Sequence, residues 1–210
     1  RRVPYVVIEG LVDIEMRETN NDIVTKLSGP VCLYAGALDR RYGIEILVQG
    51  FLRARSAEAE LRVYGTGDYA DDLKALARAN PRLKYFGNVP NDVVVNEEVR
   101  ATLLINPRPT WEAFTKFSFP SKNMEYMASG TPLLTTRLPG MPADYLPYVY
   151  LLEDESATGV AGALDELLSQ KQEALHAKGR AAKEFVLLKK NNEVQAIKLM
   201  ELVDRLTRPP

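Results

Sequence analysis

A chain of 210 residues with 27 Lys+Arg against 28 Asp+Glu carries a formal net charge of −1, and 46% of it is apolar. That is the profile of an ordinary globular protein, and the balanced charge excludes the broad positive field needed to coat nucleic acid or an anionic membrane. A single cysteine, Cys32, excludes an internal disulfide and points to a reducing cytoplasm, while a single histidine, His176, nearly excludes a histidine triad or a zinc site.

No apolar run reaches the roughly 18 to 20 residues that span a bilayer, and Arg1-Arg2-Val3-Pro4 does not read as the start of a signal peptide. The first apolar run, Tyr5-Val6-Val7-Ile8, reads as a strand ending at Glu9-Gly10, with Glu18 to Thr25 as a connector. Val31-Cys32-Leu33-Tyr34 reads as a strand running into Gly36, followed by a helix with Ile44, Leu47, Val48 and Phe51 on one face. Leu61-Arg62-Val63-Tyr64 runs into Gly65-Thr66-Gly67, and Leu73, Leu76 and Ala77 follow at helical spacing. Leu83 to Phe86 leads into Gly87, Thr102 to Ile105 into Asn106-Pro107-Arg108-Pro109, Pro132 to Thr135 into Pro139-Gly140, and Val149 to Leu152 into an acidic stretch. From Ala157 to Leu206 the chain reads as helical, with a break expected near Lys178-Gly179.

Short apolar strands separated by helices specify an α/β protein, a doubly wound parallel sheet with helices on both faces. Ligands in such sheets bind at the carboxyl ends of the strands, which makes Gly36, Gly65 to Gly67, Gly87 and Asn106 to Thr110 a candidate rim.

Gly36 to Gly43 lies between a strand and a helix, where glycine lets backbone approach a ligand and free amides favour an anion. Arg40 and Arg41 can add charge-assisted contacts to a phosphate; an ordinary tight turn with solvated arginines accounts for the same residues. Asp68 is placed to cap the helix after Gly67. Phe117 to Gly130 is the most informative segment. Pro120-Ser121 begins a helix, with Ser121 near the cap, and Gly130 closes it about two and a half turns later. Lys122 stands in the first turn, against the macrodipole preference, three residues before Glu125. A bound anion explains that placement, and a surface ion pair explains it equally well. His176 reads as a solvated histidine and Trp111 as a half-buried anchor. The mild basic excess after residue 170 reads as a solvated helix face, with peripheral membrane contact the weaker alternative.

Together, Tyr5 to Asp13, Tyr34-Ala35-Gly36-Ala37-Leu38 with Tyr42-Gly43-Ile44, Val63 to Gly67, Lys84 to Val89, and Phe119-Pro120-Ser121-Lys122 through Pro132 resemble the C-terminal half of a GT-B glycosyltransferase of the family 4 type. The resemblance covers about residues 5 to 170 and implies a Rossmann-like sheet of about six strands ending in long helices. It implies a joining segment or strand over 1–28, a nucleotide-sugar donor domain over 29–170 and a helical extension over 171–210. It also implies a missing N-terminal domain that holds a saccharide or lipid-linked acceptor, so that these residues alone are inactive. Carried over by position, Glu125 matches the second glutamate of the family's E-x7-E motif and implies a clamp on the ribose. Lys122 and the Ser121 amide fall where the family binds the diphosphate, Gly36 where backbone approaches it, and Phe86, Gly87 and Val89 where the base packs. Three departures stand out: Phe117 occupies the place of the first glutamate with Glu112 nearby, Ala37 that of an arginine, and Tyr42 that of a lysine. Arg40, Arg41 and Lys122 are then the cations left to the diphosphate, with Lys122 and Arg41 expected to be catalytic. The reaction implied is retaining transfer from a nucleotide-diphospho-sugar without metal or other cofactor, in polysaccharide synthesis at the cytoplasmic face. A non-catalytic nucleotide- or partner-binding module and half of a sugar-nucleotide 2-epimerase are the alternatives.

Overall fold

Six short strands, hydrogen-bonded side by side in the order β3-β2-β1-β4-β5-β6 and all parallel, form the centre of the computed structural model, which describes residues 3–207. They are β1 (Val31–Ala35), β2 (Glu60–Tyr64), β3 (Leu83–Gly87), β4 (Leu103–Asn106), β5 (Leu133–Thr135) and β6 (Tyr150–Leu151). Helices α1 (Ile44–Arg53), α2 (Ala70–Ala79), α3 (Asn91–Arg100) and α4 (Ser121–Ser129) alternate with them. Then α5 (Ala157–Leu168), α6 (Gln172–Lys189) and α7 (Asn192–Thr207) complete the chain.

The continuous apolar runs follow from burial on both faces. Along β1, Cys32 and Tyr34 face a core built with Leu47 and Phe51 of α1 and Val160 and Leu164 of α5. Val31, Leu33 and Ala35 face the other side, against Met124 and Met127 of α4 and Val186 of α6. Strand order reverses between β1 and β4, so their carboxyl ends flank the switch point where ligands of such sheets bind.

Two sequence expectations are corrected. Tyr5 to Ile8 is not a strand: the segment pairs with nothing in the sheet, and Tyr5 is 79% exposed. Among the described residues the only ladder contact before β1 is one parallel bridge, Val12 with Asn191. Nor does the chain break at Lys178-Gly179. Helix α6 runs unbroken through it, and the helical stretch is interrupted at Ser169 to Lys171 and at Lys190-Asn191 instead. Gly179 is a contact position: a Cβ there would lie 2.2 Å from the Gly130 carbonyl oxygen, so glycine lets α6 close on the end of α4.

Two anchors tie the segment before β1 to this body. The Lys26 ammonium donates to the carbonyls of Val99 and Ala101 and to Thr131 Oγ1, occupying the carbonyl-rich end of α3 where a cation is favoured. Lys190, 8% exposed, pairs with Glu9, 9% exposed, and lies 2.9 Å from Asp144.

Candidate functional site

The loops after β1, β2 and β3 are laced together by backbone hydrogen bonds. Gly36 N donates to Tyr64 O, Gly65 N to Gly87 O and Leu38 N to Thr66 O. Gly65 is held at φ +124°, and a Cβ on it would stand 1.8 Å from the Gly36 carbonyl oxygen, so no larger residue permits this approach. Behind the lacing opens a cavity of about 430 Å³ lined by residues of these loops, among them Gly36, Tyr64, Val89 and Asn91, and by Lys122. The volume falls within the range of small-molecule sites.

Lys122 reaches this wall from the second residue of α4, and its ammonium lies against two acidic side chains. Glu125 Oε1 lies 2.6 Å away and Glu98 Oε1 3.5 Å. Glu98 projects from α3, is fully buried, and leaves its other oxygen without a hydrogen-bond partner. Burial, reinforced by the charge of Glu125, pushes the Glu98 carboxyl up to about 8, although Lys122 works against the rise. An acid whose folded value is raised contributes stability that is complete below its unfolded value and fades as pH climbs toward the folded one. Glu98→Gln is therefore expected to remove a loss of stability that the native chain suffers between about pH 5 and 8. Urea unfolding midpoints across that range check it; parallel native and variant curves would show that Glu98 does not titrate there.

Of the residues singled out in the sequence, Gly36, Val89 and Lys122 line the cavity, and Glu125 adjoins it through Lys122. Phe86 stands outside, stacked on Tyr64 with ring centres 4.7 Å apart, so it backs the wall that Tyr64 presents. Gly87 contributes its carbonyl to the lacing. Ser121 is the exposed first residue of α4, with Pro120 at the cap position and no side-chain cap bond. Arg40 is engaged elsewhere, paired with Glu45 and Asp72. Arg41 lies over the Tyr42 ring at 5.0 Å. Asp68 does not cap α2; Tyr69 holds that position, and Asp68 Oδ1 accepts the Arg40 backbone N–H instead. Trp111, expected as a half-buried anchor, is 61% exposed, and Phe117 is exposed too. Glu112 is partly buried at the cap of a short 3-10 turn and makes no cap bond with its side chain. His176 is half-buried rather than solvated. Its Nδ1 has no partner, and burial with nearby Lys26 and Arg180 lowers its proton affinity.

Sequence reasoning missed Glu98 and Arg108. Glu98 belongs to a helix whose apolar pattern is weak, and only the packing of α3 on α4 brings it to Lys122. Arg108 was visible as part of the strand-end loop, but its surroundings come from Phe114, which the loop folds back onto it, and from Tyr42, distant in sequence. Among the described residues no group of three His, Cys, Asp or Glu side chains is placed to hold a metal ion, and no helix is long and apolar enough to cross a membrane.

The family model described as glycosyl transferases group 1 matches residues 29–170. No curated protein matches the chain by sequence. Among solved structures it is similar to sucrose-phosphate synthase from Thermosynechococcus elongatus, with TM-score 0.77 and 20% identity over 95% of this chain and 52% of that one. It is also similar to a glycosyltransferase from Rickettsia africae, with TM-score 0.78 and 17% identity over 97% and 58%. A third is the HepE protein of Anabaena, solved with UDP-glucose, with TM-score 0.70 and 14% identity over 94% and 56%. At these identities the likeness is one of fold, and the chain spans about half the length of each.

Proposed function

The chain belongs to the glycosyl transferases group 1 family, and from that premise we propose that it is the donor domain of a retaining, metal-independent transferase that builds cell-surface or capsular polysaccharide. Its donor is a nucleoside diphosphate sugar. The observation that carries this reading is the cavity at the carboxyl ends of β1, β2 and β3, with a lysine in its wall at the start of a helix. The nucleoside lies toward Val89 and Asn91 and the phosphates toward Gly36 and Lys122, with Glu125 at the ribose.

In the transfer, the bond between the sugar's anomeric carbon and the distal phosphate oxygen breaks, and the nucleoside diphosphate leaves with the bonding electrons. The anomeric carbon gains a bond to an acceptor oxygen, whose proton is released. Negative charge develops on the leaving diphosphate, and fixed cations and helix-end amides facing it lower the barrier. The acceptor, a saccharide or lipid-linked saccharide, is held by a second domain at the cytoplasmic face, so that this chain alone binds donor without turning it over.

Titration calorimetry of the 210-residue chain against UDP, GDP, ADP, TDP and CMP tests the reading. Millimolar or tighter binding of one diphosphate is the expected result and names the base, whereas binding of none overturns the donor-domain assignment.

A further inference from the structure

Among the described residues Arg108 has no counterion, and it stands beside the point where the sheet reverses its strand order. It follows β4, and its guanidinium carbon lies 4.5 Å from the centre of the Tyr42 ring and 5.6 Å from that of Phe114. Arg41 approaches the same two rings at 5.0 and 5.7 Å, and the rings themselves meet edge to face. The acids nearby are spoken for: Glu45 and Asp72 hold Arg40, and Asp39 makes only a long contact of 3.9 Å with Arg41. Among the described residues no carboxylate pairs with Arg108, and its Nε is buried with no hydrogen-bond partner. Its backbone carbonyl accepts from Thr136 Oγ1, which fixes the loop and does nothing for the charge.

Burial works against the Arg108 charge; Tyr34 and Tyr42 offset this in part, and Arg41 adds to it. A guanidinium does not escape by losing its proton. Two of them gathered on one aromatic pair, one without any acid, are in an arrangement that an arriving anion relieves. The location says which anion. Tyr34, whose ring is within the field of Arg108, donates its hydroxyl to the Ala37 carbonyl, and Gly36 and Ala37 line the cavity. Arg108 is thus on the β4 side of the loop whose other side faces Lys122.

Resting on the donor-domain reading above, we propose that Arg108, assisted by Arg41, binds the distal phosphate of the donor, the phosphate that takes up the leaving charge. A nucleoside seated against Val89 and Asn91 directs its diphosphate past Gly36, and the phosphate farther from the nucleoside comes to Arg108. The planar fork of donors suits two oxygens of one phosphate. Arg108 adds a cation from the β4 loop to Arg40, Arg41 and Lys122, the cations expected from the sequence.

Calorimetry of the native chain, Arg108→Gln and Arg108→Lys with the diphosphate, monophosphate and nucleoside of the preferred base tests this. The native chain is expected to favour diphosphate over monophosphate. Arg108→Gln should lose about tenfold or more of that preference with its monophosphate affinity unchanged, which also reports an intact fold. Arg108→Lys keeps the charge but not the fork, and should lose severalfold; it carries the test alone should the glutamine variant not fold. Full preference retained in either variant overturns the assignment of Arg108 and leaves the donor-domain reading standing. A native chain that binds neither nucleotide overturns both.

Discussion

Lys122→Ala is expected to weaken nucleoside diphosphate binding by about 10- to 100-fold while leaving the parent nucleoside nearly unaffected, the effect of losing one charge-assisted contact to phosphate. The substitution is clean because of what it leaves behind. Glu98 loses its nearest cation, but burial already holds its carboxyl up to about 8, so it stays protonated near neutral pH and no bare buried charge results. Glu125 retains partial access to solvent and tolerates the loss. The fold should therefore survive, and paired calorimetry with nucleoside and diphosphate isolates the phosphate contribution. Equal losses for the two ligands would remove Lys122 from the phosphate.

Lys190→Met should destabilise the chain by about 3 to 5 kcal/mol, the cost of breaking a buried ion pair from one side. Lys190 pairs with Glu9 and Asp144 and lies 4.8 Å from the centre of the Tyr145 ring. Without it, the Tyr145 hydroxyl at 3.1 Å is the one side-chain partner left to Glu9 among the described residues. A second change, Glu9→Gln, removes the orphaned charge and should restore much of the loss. Urea unfolding of both variants measures the difference. A single variant within about 0.5 kcal/mol of the native chain, the range of an ordinary surface change, would show that the pair does not anchor the segment.

The sheet was legible in the sequence because burial on both faces writes its central strands as apolar runs, as Val31 to Tyr34 and Leu103 to Ile105 do, while Arg62 and Lys84 interrupt the runs of β2 and β3 nearer the edge. That same rule misled at Tyr5 to Ile8, where β-propensity is high but no strand edge receives the segment. A strand is a pairing, and pairing is not local. Gly179 failed for the opposite reason. Interior glycine lowers helix propensity, yet here it is what lets α6 pack on Gly130, and packing outweighs propensity. At the site, the glycine loops and Lys122 were readable from turn chemistry and from a cation placed against the helix dipole. Glu98 and Arg108 were not, because a buried carboxyl with one oxygen unpartnered and a guanidinium without an acid are properties of tertiary surroundings.

The stitching of the first described segment to the last helices bears on the order of folding. Val12 N donates to Lys190 O and Asn192 N to Val12 O, Ile14 N donates to Asn192 Oδ1, and Gln195 Nε2 to the Gly10 carbonyl. The Lys190–Glu9 contact closes a loop of 181 residues. Made from an open chain, a closure of that length costs about 5 kcal/mol in chain entropy, more than a few hydrogen bonds return. It becomes favourable once the sheet has assembled and brought the two segments within reach. The clasp is therefore a late event in folding and one of the most non-local contacts of the chain, a topology that slows the final step rather than the first collapse.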